Sequence, residues 1–187
     1  MQQFELTTGP SPSNIMRPGQ ITLPKGVERY VVDGGGSLII EVEPGDEIRV
    51  TNKEGCQRCE IIGLDRNGRF DDAILEQKAD CDAEGFKAIL AGNDPSAYRA
   101  LSALKRRKVD VAKVWAVGLF SASSPAGDLA KLGVKLNGMA IIAAPADAMD
   151  FELQNTATPL EVFVHRATVR SAVQTLLPEP LADPVQD

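Results

Sequence analysis

The first half of the chain alternates short apolar runs with turn residues, a pattern typical of β-strands rather than helices. Residues 47–51 alternate polar and apolar positions, as expected for a strand with one solvated face. Tight turns are predicted at Gly34-Gly35-Gly36 and Pro44-Gly45-Asp46, and Asn67-Gly68 is a strong hairpin signal. Five short strands are therefore predicted in this half, at residues 21–23, 27–33, 37–43, 47–51 and 58–64.

The middle of the chain changes character, because β-branched residues become few and helix formers many. Asp94 can cap a helix that has Pro95 in its first turn and runs to about Lys108. The basic run that closes this helix complements the negative end of the helix dipole. An apolar stripe at helical spacing is predicted to face the core, and it consists of Tyr98, Leu101, Ala103 and Leu104. We predict a helical insert around residues 86–108.

Strand patterns return in the last third, at residues 114–120, 138–144 and 160–166. In the last of these, Leu160, Val162 and Val164 fall on one face, while His165 falls on the other. The order of elements predicts an α+β fold, a mostly antiparallel β barrel or sandwich with a helical insert. We expect one domain over residues 20–170, an extended N-terminal arm over 1–19 and a Pro-rich tail or linker over 171–187.

Composition narrows the classes of function. The chain has 187 residues, 43% of them hydrophobic and 25% charged, which is ordinary for a globular protein. The net charge of −6 argues against a nucleic-acid partner, which requires clustered Lys and Arg. No run approaches the roughly 20 apolar residues that span a membrane, and the N-terminus shows no signal-peptide pattern. Three cysteines are an odd number, which does not suit a disulfide framework, so we expect a cytoplasmic protein.

The pair Cys56 and Cys59 is the sharpest local motif, because its spacing allows two thiolates to bind one Zn²⁺. Cys81 and His165 are the remaining candidates for a Cys₃His site, but neither lies in a second paired motif. A redox dithiol is a second interpretation, although such motifs precede a helix and here a strand follows. The third interpretation, two unligated thiols, is favoured. It predicts no stoichiometric zinc and a cost of about 1 kcal/mol for each Cys-to-Ser replacement.

Other candidate sites have simpler explanations. His165 has no Ser or Cys at a recognisable motif spacing, so a hydrolytic triad is not supported. The glycines at 34–36 precede a strand, which leaves no helix N-terminus to bind phosphate. The acidic groups Asp71-Asp72 and Asp80-Cys81-Asp82 lack the ligand spacing of a calcium loop. We therefore assign no catalytic, cofactor-binding or metal-binding residue in this chain.

A family resemblance follows from three stretches, residues 29–37, 42–50 and 54–57. They resemble the urea carboxylase-associated domain family, whose Gly-x-Gln-x-x-Asp motif stands here as Gly55, Gln57 and Glu60, with Glu in place of Asp. The similarity covers about residues 21–64 and is looser over 139–166. Metal-binding members carry further cysteines in the second half of the domain. This chain has none after Cys81, so the resemblance implies that the family's metal site is absent.

The chain is also similar to the N-terminal region of trimethylamine-N-oxide demethylases. That resemblance implies a structural or interface domain of an aminomethyltransferase-like enzyme that forms dimethylamine and formaldehyde. Zinc and tetrahydrofolate would then belong to other parts of the enzyme, and the partners would be its other domains or subunits, or further copies in a homo-oligomer. Two alternatives stay open: a stand-alone metal-dependent hydrolase or deiminase acting on a small C–N compound, and a small-ligand binding module.

Overall fold

The computed structural model describes residues 23–93, 95–146 and 157–168, which form two antiparallel sheets and two α-helices. The elements in chain order are β1 (Val27–Val32), β2 (Ser37–Val42), β3 (Glu47–Asn52), β4 (Cys59–Leu64), β5 (Cys81–Asp82), α1 (Glu84–Ala91), α2 (Pro95–Arg106), β6 (Trp115–Phe120), β7 (Asp128–Gly133), β8 (Gly138–Ala143) and β9 (Leu160–His165). Seven of the strands predicted from the sequence are present, whereas the predicted run at residues 21–23 lies largely outside the described residues. Two further strands, β5 and β7, were not predicted.

The two sheets form a sandwich. Sheet A has the strand order β1-β9-β3-β7, and sheet B has the order β2-β8-β4-β6-β5. Successive strands β1 to β4 alternate between the sheets, so sequence neighbours face each other across the core instead of pairing. Each sheet consequently keeps two edge strands among the described residues. The predicted α+β sandwich is confirmed, and no closed barrel forms over the described residues.

The predicted turns position these strands. Gly36 N–H donates to Asp33 O at 2.8 Å, and Gly35 adopts a φ of +78°, which confirms a turn between β1 and β2. After β4, Asp65 N–H donates to Arg69 O at 2.8 Å, and Gly68 has a φ of +79°. The predicted hairpin turn therefore forms, and it returns the chain to an isolated bridge between Leu64 and Phe70.

The main core lies between the two sheets. Val50 and Val162 of sheet A are fully buried there, as are Ile61 and Ile142 of sheet B. On β9, Leu160, Val162 and Val164 are all buried, whereas His165 is only partly buried. The predicted division of β9 into two faces is therefore confirmed.

A second core joins sheet B to the helices. Ile62 and Ile141 point to this side, where they form one apolar cluster with Phe86 and Leu104. The molecule thus has three layers, sheet A, sheet B and the helical insert. Since sheet B contributes to both cores, all six residues of its inner strand β8 are buried. Among the described residues, no helix is long and apolar enough to cross a membrane.

Helix α2 begins at Pro95 as predicted, but one residue of its predicted core stripe was assigned wrongly. Tyr98 is 57% exposed, whereas Ala97 and Leu104 are buried and Leu101 packs against the apolar cluster that includes Leu104. The buried face follows positions 97, 101 and 104, which are spaced at i, i+4 and i+7, and this leaves Tyr98 beside it. The proposed cap Asp94, the arm over 1–19 and the tail over 171–187 lie outside the described residues.

Candidate functional site

The segment from Gly55 to Glu60, which connects β3 to β4, is a junction between distant parts of the fold. Gly55 has a φ of +80° and packs tightly on the loop that precedes β7. A Cβ at Gly55 would lie 2.7 Å from Ala126 N, too close for any other residue. The adjacent Cys56 N–H donates to Ser124 O at 2.8 Å. Glycine is therefore required by the close approach of two backbones.

Gln57 is almost fully buried and joins two segments that are far apart in sequence. Its Nε2 donates to Pro145 O at 2.8 Å and to Arg58 O at 2.9 Å, and its Oε1 accepts from Thr158 N–H at 2.8 Å. Both amide hydrogens are thus occupied by backbone carbonyls. The side chain serves the fold and has no donor left for a ligand.

Glu60 supplies the cap of a helix that has none of its own. Ala83, at the N-cap of α1, makes no side-chain hydrogen bond. The Glu60 carboxylate instead accepts from Gly85 N–H at 2.9 Å and from Phe86 N–H at 2.7 Å. A carboxylate in this position satisfies unpaired helix donors and complements the positive end of the dipole. The predicted motif is therefore a structural junction over the described residues.

Asn52 extends this junction beneath Gln57. It is fully buried, and its Nδ2 donates to Gln57 O at 3.0 Å. Its Oδ1 has no hydrogen-bond donor among the described residues. Asn52 and Thr158 were not identified from the sequence, since neither belongs to the motif and their partners are remote along the chain.

The motif cysteines lie in different environments. Cys56 is exposed and has a φ of +59°, unusual for a residue other than glycine. Cys59 is 1% exposed and belongs to the core between the sheets. Burial raises the pKa of the Cys59 thiol far above its ordinary value, so the thiol stays protonated at neutral pH. A zinc ligand must be a thiolate, and Cys59 is a poor source of one.

The other two candidate zinc ligands are separated from this pair. Cys81 packs against the helical side of sheet B, donates to Ala116 O at 3.4 Å, and has a pKa raised to about 11, chiefly by burial. His165 lies in sheet A, opposite Val27 and Glu47. The four candidates therefore do not fit one tetrahedral site. No group of three or more His, Cys, Asp or Glu in the described ranges could hold a metal ion.

The acidic clusters take part in local structure. Asp71 accepts from Ala73 N–H at 2.9 Å within a turn, and Asp80 accepts from Gly118 N–H at 2.9 Å at the edge of β6. Asp82 forms an ion pair with Lys87 in α1. These contacts give Asp71, Asp80 and Asp82 a role in the fold.

A charged clamp that was not identified from the sequence holds the end of β9. Arg166 donates to both carboxylate oxygens of Glu28, at 2.9 and 2.6 Å, and to Asp46 at 2.8 Å. Asp46 is buried, and it also accepts from Ala167 N–H at 2.9 Å. The hydrogen bond from Arg166 lowers the pKa of Glu28, and the bond to Glu28 raises that of Arg166. The clamp ties β9 to β1 and to the turn between β2 and β3.

A polar cavity of about 320 Å³ lies beside this clamp. Its lining consists of Lys25, Gly26, Val27, Glu28, Glu41, Glu43, Arg166 and Thr168. Arg166 is paired with Glu28 and Asp46, and the other charged residues of the lining are Lys25, Glu41 and Glu43. The lining contains one hydroxyl group, on Thr168, and neither histidine nor cysteine. It provides no nucleophile paired with a base.

Comparison with known proteins gives one informative similarity. No family model matches the chain. A trimethylamine-oxide aldolase from Ruegeria pomeroyi is 43% identical over 178 residues, which is 95% of this chain but 23% of that protein. A solved DUF1989 family protein from Silicibacter pomeroyi is 12% identical, with a TM-score of 0.42 and coverage of 83% of each chain. The resemblance to the urea carboxylase-associated family stays a prediction. The chain spans less than a quarter of the curated relative that it matches.

Proposed function

We propose that this chain is a structural and interface domain of a larger enzyme that acts on trimethylamine N-oxide, with catalysis elsewhere in that enzyme. The observation that carries the proposal is the 43% identity to a trimethylamine-oxide aldolase, which extends over 95% of this chain and 23% of that protein. Similarity over nearly the whole chain, but over a minor part of the relative, is what a module of a longer enzyme would give.

The junction between β3 and β4 supports a structural role. Gln57 holds Pro145 and Thr158 together, and Glu60 caps α1. The polar groups of the motif are thus engaged with the protein's own backbone. Together with the inert, buried thiol of Cys59, this favours a domain that maintains shape over one that performs chemistry.

The reaction and the cofactors belong to the same proposal. The enzyme as a whole would convert trimethylamine N-oxide to dimethylamine and formaldehyde. Zinc and tetrahydrofolate would bind to its other parts. For zinc, this is supported by the cysteines and the histidine of this chain, which do not fit a metal site. The partners of this domain would be the other domains or subunits of the enzyme.

Formaldehyde release tests the proposal. The purified 187-residue chain should be folded by circular dichroism and should release no formaldehyde from trimethylamine N-oxide. The complete polypeptide encoded by its gene, assayed in parallel, should release formaldehyde. Release by the isolated chain that a chelator abolishes would contradict the proposal and favour a stand-alone metal-dependent enzyme. An inactive complete polypeptide would refute the assignment to trimethylamine N-oxide.

A further inference from the structure

The outer face of sheet A differs from that of sheet B. Helices cover the outer face of sheet B through the cluster that includes Ile62 and Phe86. The corresponding side of sheet A, which we call the open face, presents outward side chains of all four strands. Six of these define it: Arg29, Val31, Phe163, Arg49, Leu129 and Lys131. The strand register places them in two adjacent rows.

Apolar side chains are exposed on this face. Val31 is 53% exposed and Leu129 is 49% exposed, at opposite ends of one row across the sheet, with Glu161 and Thr51 between them. In the next row Phe163 lies between Arg29 and Arg49. Outward positions of a solvated antiparallel sheet are usually polar, so three apolar residues interleaved with charged ones indicate a mixed apolar and charged contact surface.

The charge of the open face is opposite to that of the chain. Its cations are Arg29, Arg49, Lys53 and Lys131, and the carboxylates on or beside it are Glu47, Glu76 and Glu161. Glu161 is bridged by Arg29 at 2.6 Å and by Lys53 at 2.7 Å. Lys131 forms no ion pair with another residue that the structure describes. The excess of cations, in a chain with a net charge of −6, suits an acidic rim on the partner.

The size of the face selects the kind of partner. Four strands about 4.8 Å apart, each six residues long at about 3.3 Å per residue, give a footprint of about 400 Å². A stable dimer usually buries about 800 Å² on each subunit. Two such faces in contact give about 800 Å² in total, which lies within the roughly 600–1,500 Å² typical of contacts between domains of one polypeptide. A neighbouring domain of the same polypeptide therefore fits better than a second copy of the chain.

We propose that the open face is the docking surface for another domain of the larger enzyme, one that presents apolar side chains within an acidic rim. The inference rests on the proposed function, since it requires a larger polypeptide. It adds the location of the contact, a flat sheet surface on the side of the sandwich away from the helices. The partner domain would cover Val31, Phe163 and Leu129, and its acidic rim would face Lys131.

Cysteine labelling tests the location. Leu129→Cys probes the open face, and Leu136→Cys is the matched control, because Leu136 is 46% exposed in the turn after β7. Both are made in a Cys56→Ser background, since Cys56 is exposed. Maleimide should react with the two cysteines at similar rates in the 187-residue chain. In the complete polypeptide, labelling of Leu129→Cys should be at least tenfold slower, with Leu136→Cys unchanged.

Charge reversal provides a second measurement. Lys131→Glu in the complete polypeptide should restore much of the labelling of Leu129→Cys, whereas the exposed control Lys135→Glu should not. Equal labelling of Leu129→Cys in the chain and in the complete polypeptide would overturn the inference. Protection of Leu129→Cys already present in the isolated chain would overturn it too. Protection that is independent of concentration would come from another segment of the same chain, and protection that depends on concentration would come from a second copy. If the complete polypeptide releases formaldehyde and the isolated chain does not, the proposed function is supported whatever the labelling result.

Discussion

At the residue scale, Gln57 satisfies backbone groups on two segments that are distant in sequence. Pro145 O and Thr158 N–H are each 2.8 Å from its amide atoms. A buried backbone group that loses its partner costs about 1–3 kcal/mol, more than the net gain from an average hydrogen bond. The consequence of removing Gln57 can therefore be estimated from the groups it would leave unpaired.

Replacement of Gln57 by Leu keeps a similar volume but removes these bonds. We expect the free energy of unfolding to fall by about 2–4 kcal/mol, because at least two buried backbone groups lose partners. The control is Gln77→Leu, at an exposed position, which should change it by no more than about 0.5 kcal/mol. Urea denaturation of both variants measures the difference. Equal stability of the two variants would show that Gln57 does not hold the junction together.

The two motif cysteines lead to a second prediction at this scale. We expect elemental analysis to find well under one zinc per chain. Cys56→Ser should cost little because Cys56 is exposed, whereas Cys59→Ser should cost about 1–3 kcal/mol because a hydroxyl enters an apolar core. This corrects the equal costs expected from the sequence. One tightly bound zinc, lost together with the fold in the double variant, would refute the prediction.

At the scale of elements, helix α1 depends on a residue from a strand. Glu60→Ala should lower the free energy of unfolding by about 1–2 kcal/mol, because Gly85 N–H and Phe86 N–H lose their acceptors. Glu54→Ala, at an exposed position in the same segment, is the matched control. Chemical denaturation followed by far-ultraviolet circular dichroism compares them. A Glu60 variant as stable as the Glu54 variant would mean that water caps the helix equally well.

The strands that were predicted share a strong local sequence signal. Strand β7, which is six residues long and was not predicted, lacks that signal. Residues 37–43 and 47–51 combine β-branched side chains with bounding turns. Strand β7 (Asp128–Gly133) contains no β-branched residue, and it is a strand because its six residues pair with β3. Its conformation is determined by a tertiary contact, which local propensity cannot reveal.

The candidate site was located by the sequence only in part. The motif identified Gly55, Gln57 and Glu60, but not their partners, because Thr158 is 101 residues from Gln57. Cys56 is exposed and Cys59 is buried because only the Cys59 side chain enters the core between the sheets. The packing of the two sheets determines this, and the local sequence does not show it. Similarly, α1 begins at Glu84, before the predicted insert, because its cap comes from β4.

At the scale of the whole molecule, sheet B connects the two cores. Ile61 and Ile62 are consecutive residues of β4, both 0% exposed, yet Ile61 belongs to the core between the sheets and Ile62 to the core beneath the helices. Their cross-strand partners on β8, Ile142 and Ile141, divide in the same way. A single strand pair thus supports both layers, and we therefore expect the two cores to lose their packing together.

This arrangement predicts that the described domain unfolds as one cooperative unit. Ile61→Ala and Ile62→Ala should each lower the free energy of unfolding by about 2–5 kcal/mol, since each leaves a cavity in one core. In both variants, helical circular dichroism and the fluorescence of Trp115, which lies in β6, should report the same denaturation midpoint. If instead Ile62→Ala melted the helical signal while the Trp115 signal persisted to higher denaturant, the helical layer would be a separate unit. The shared strands make coincident midpoints the expected result, because loss of either core removes one face of β4 and β8 together.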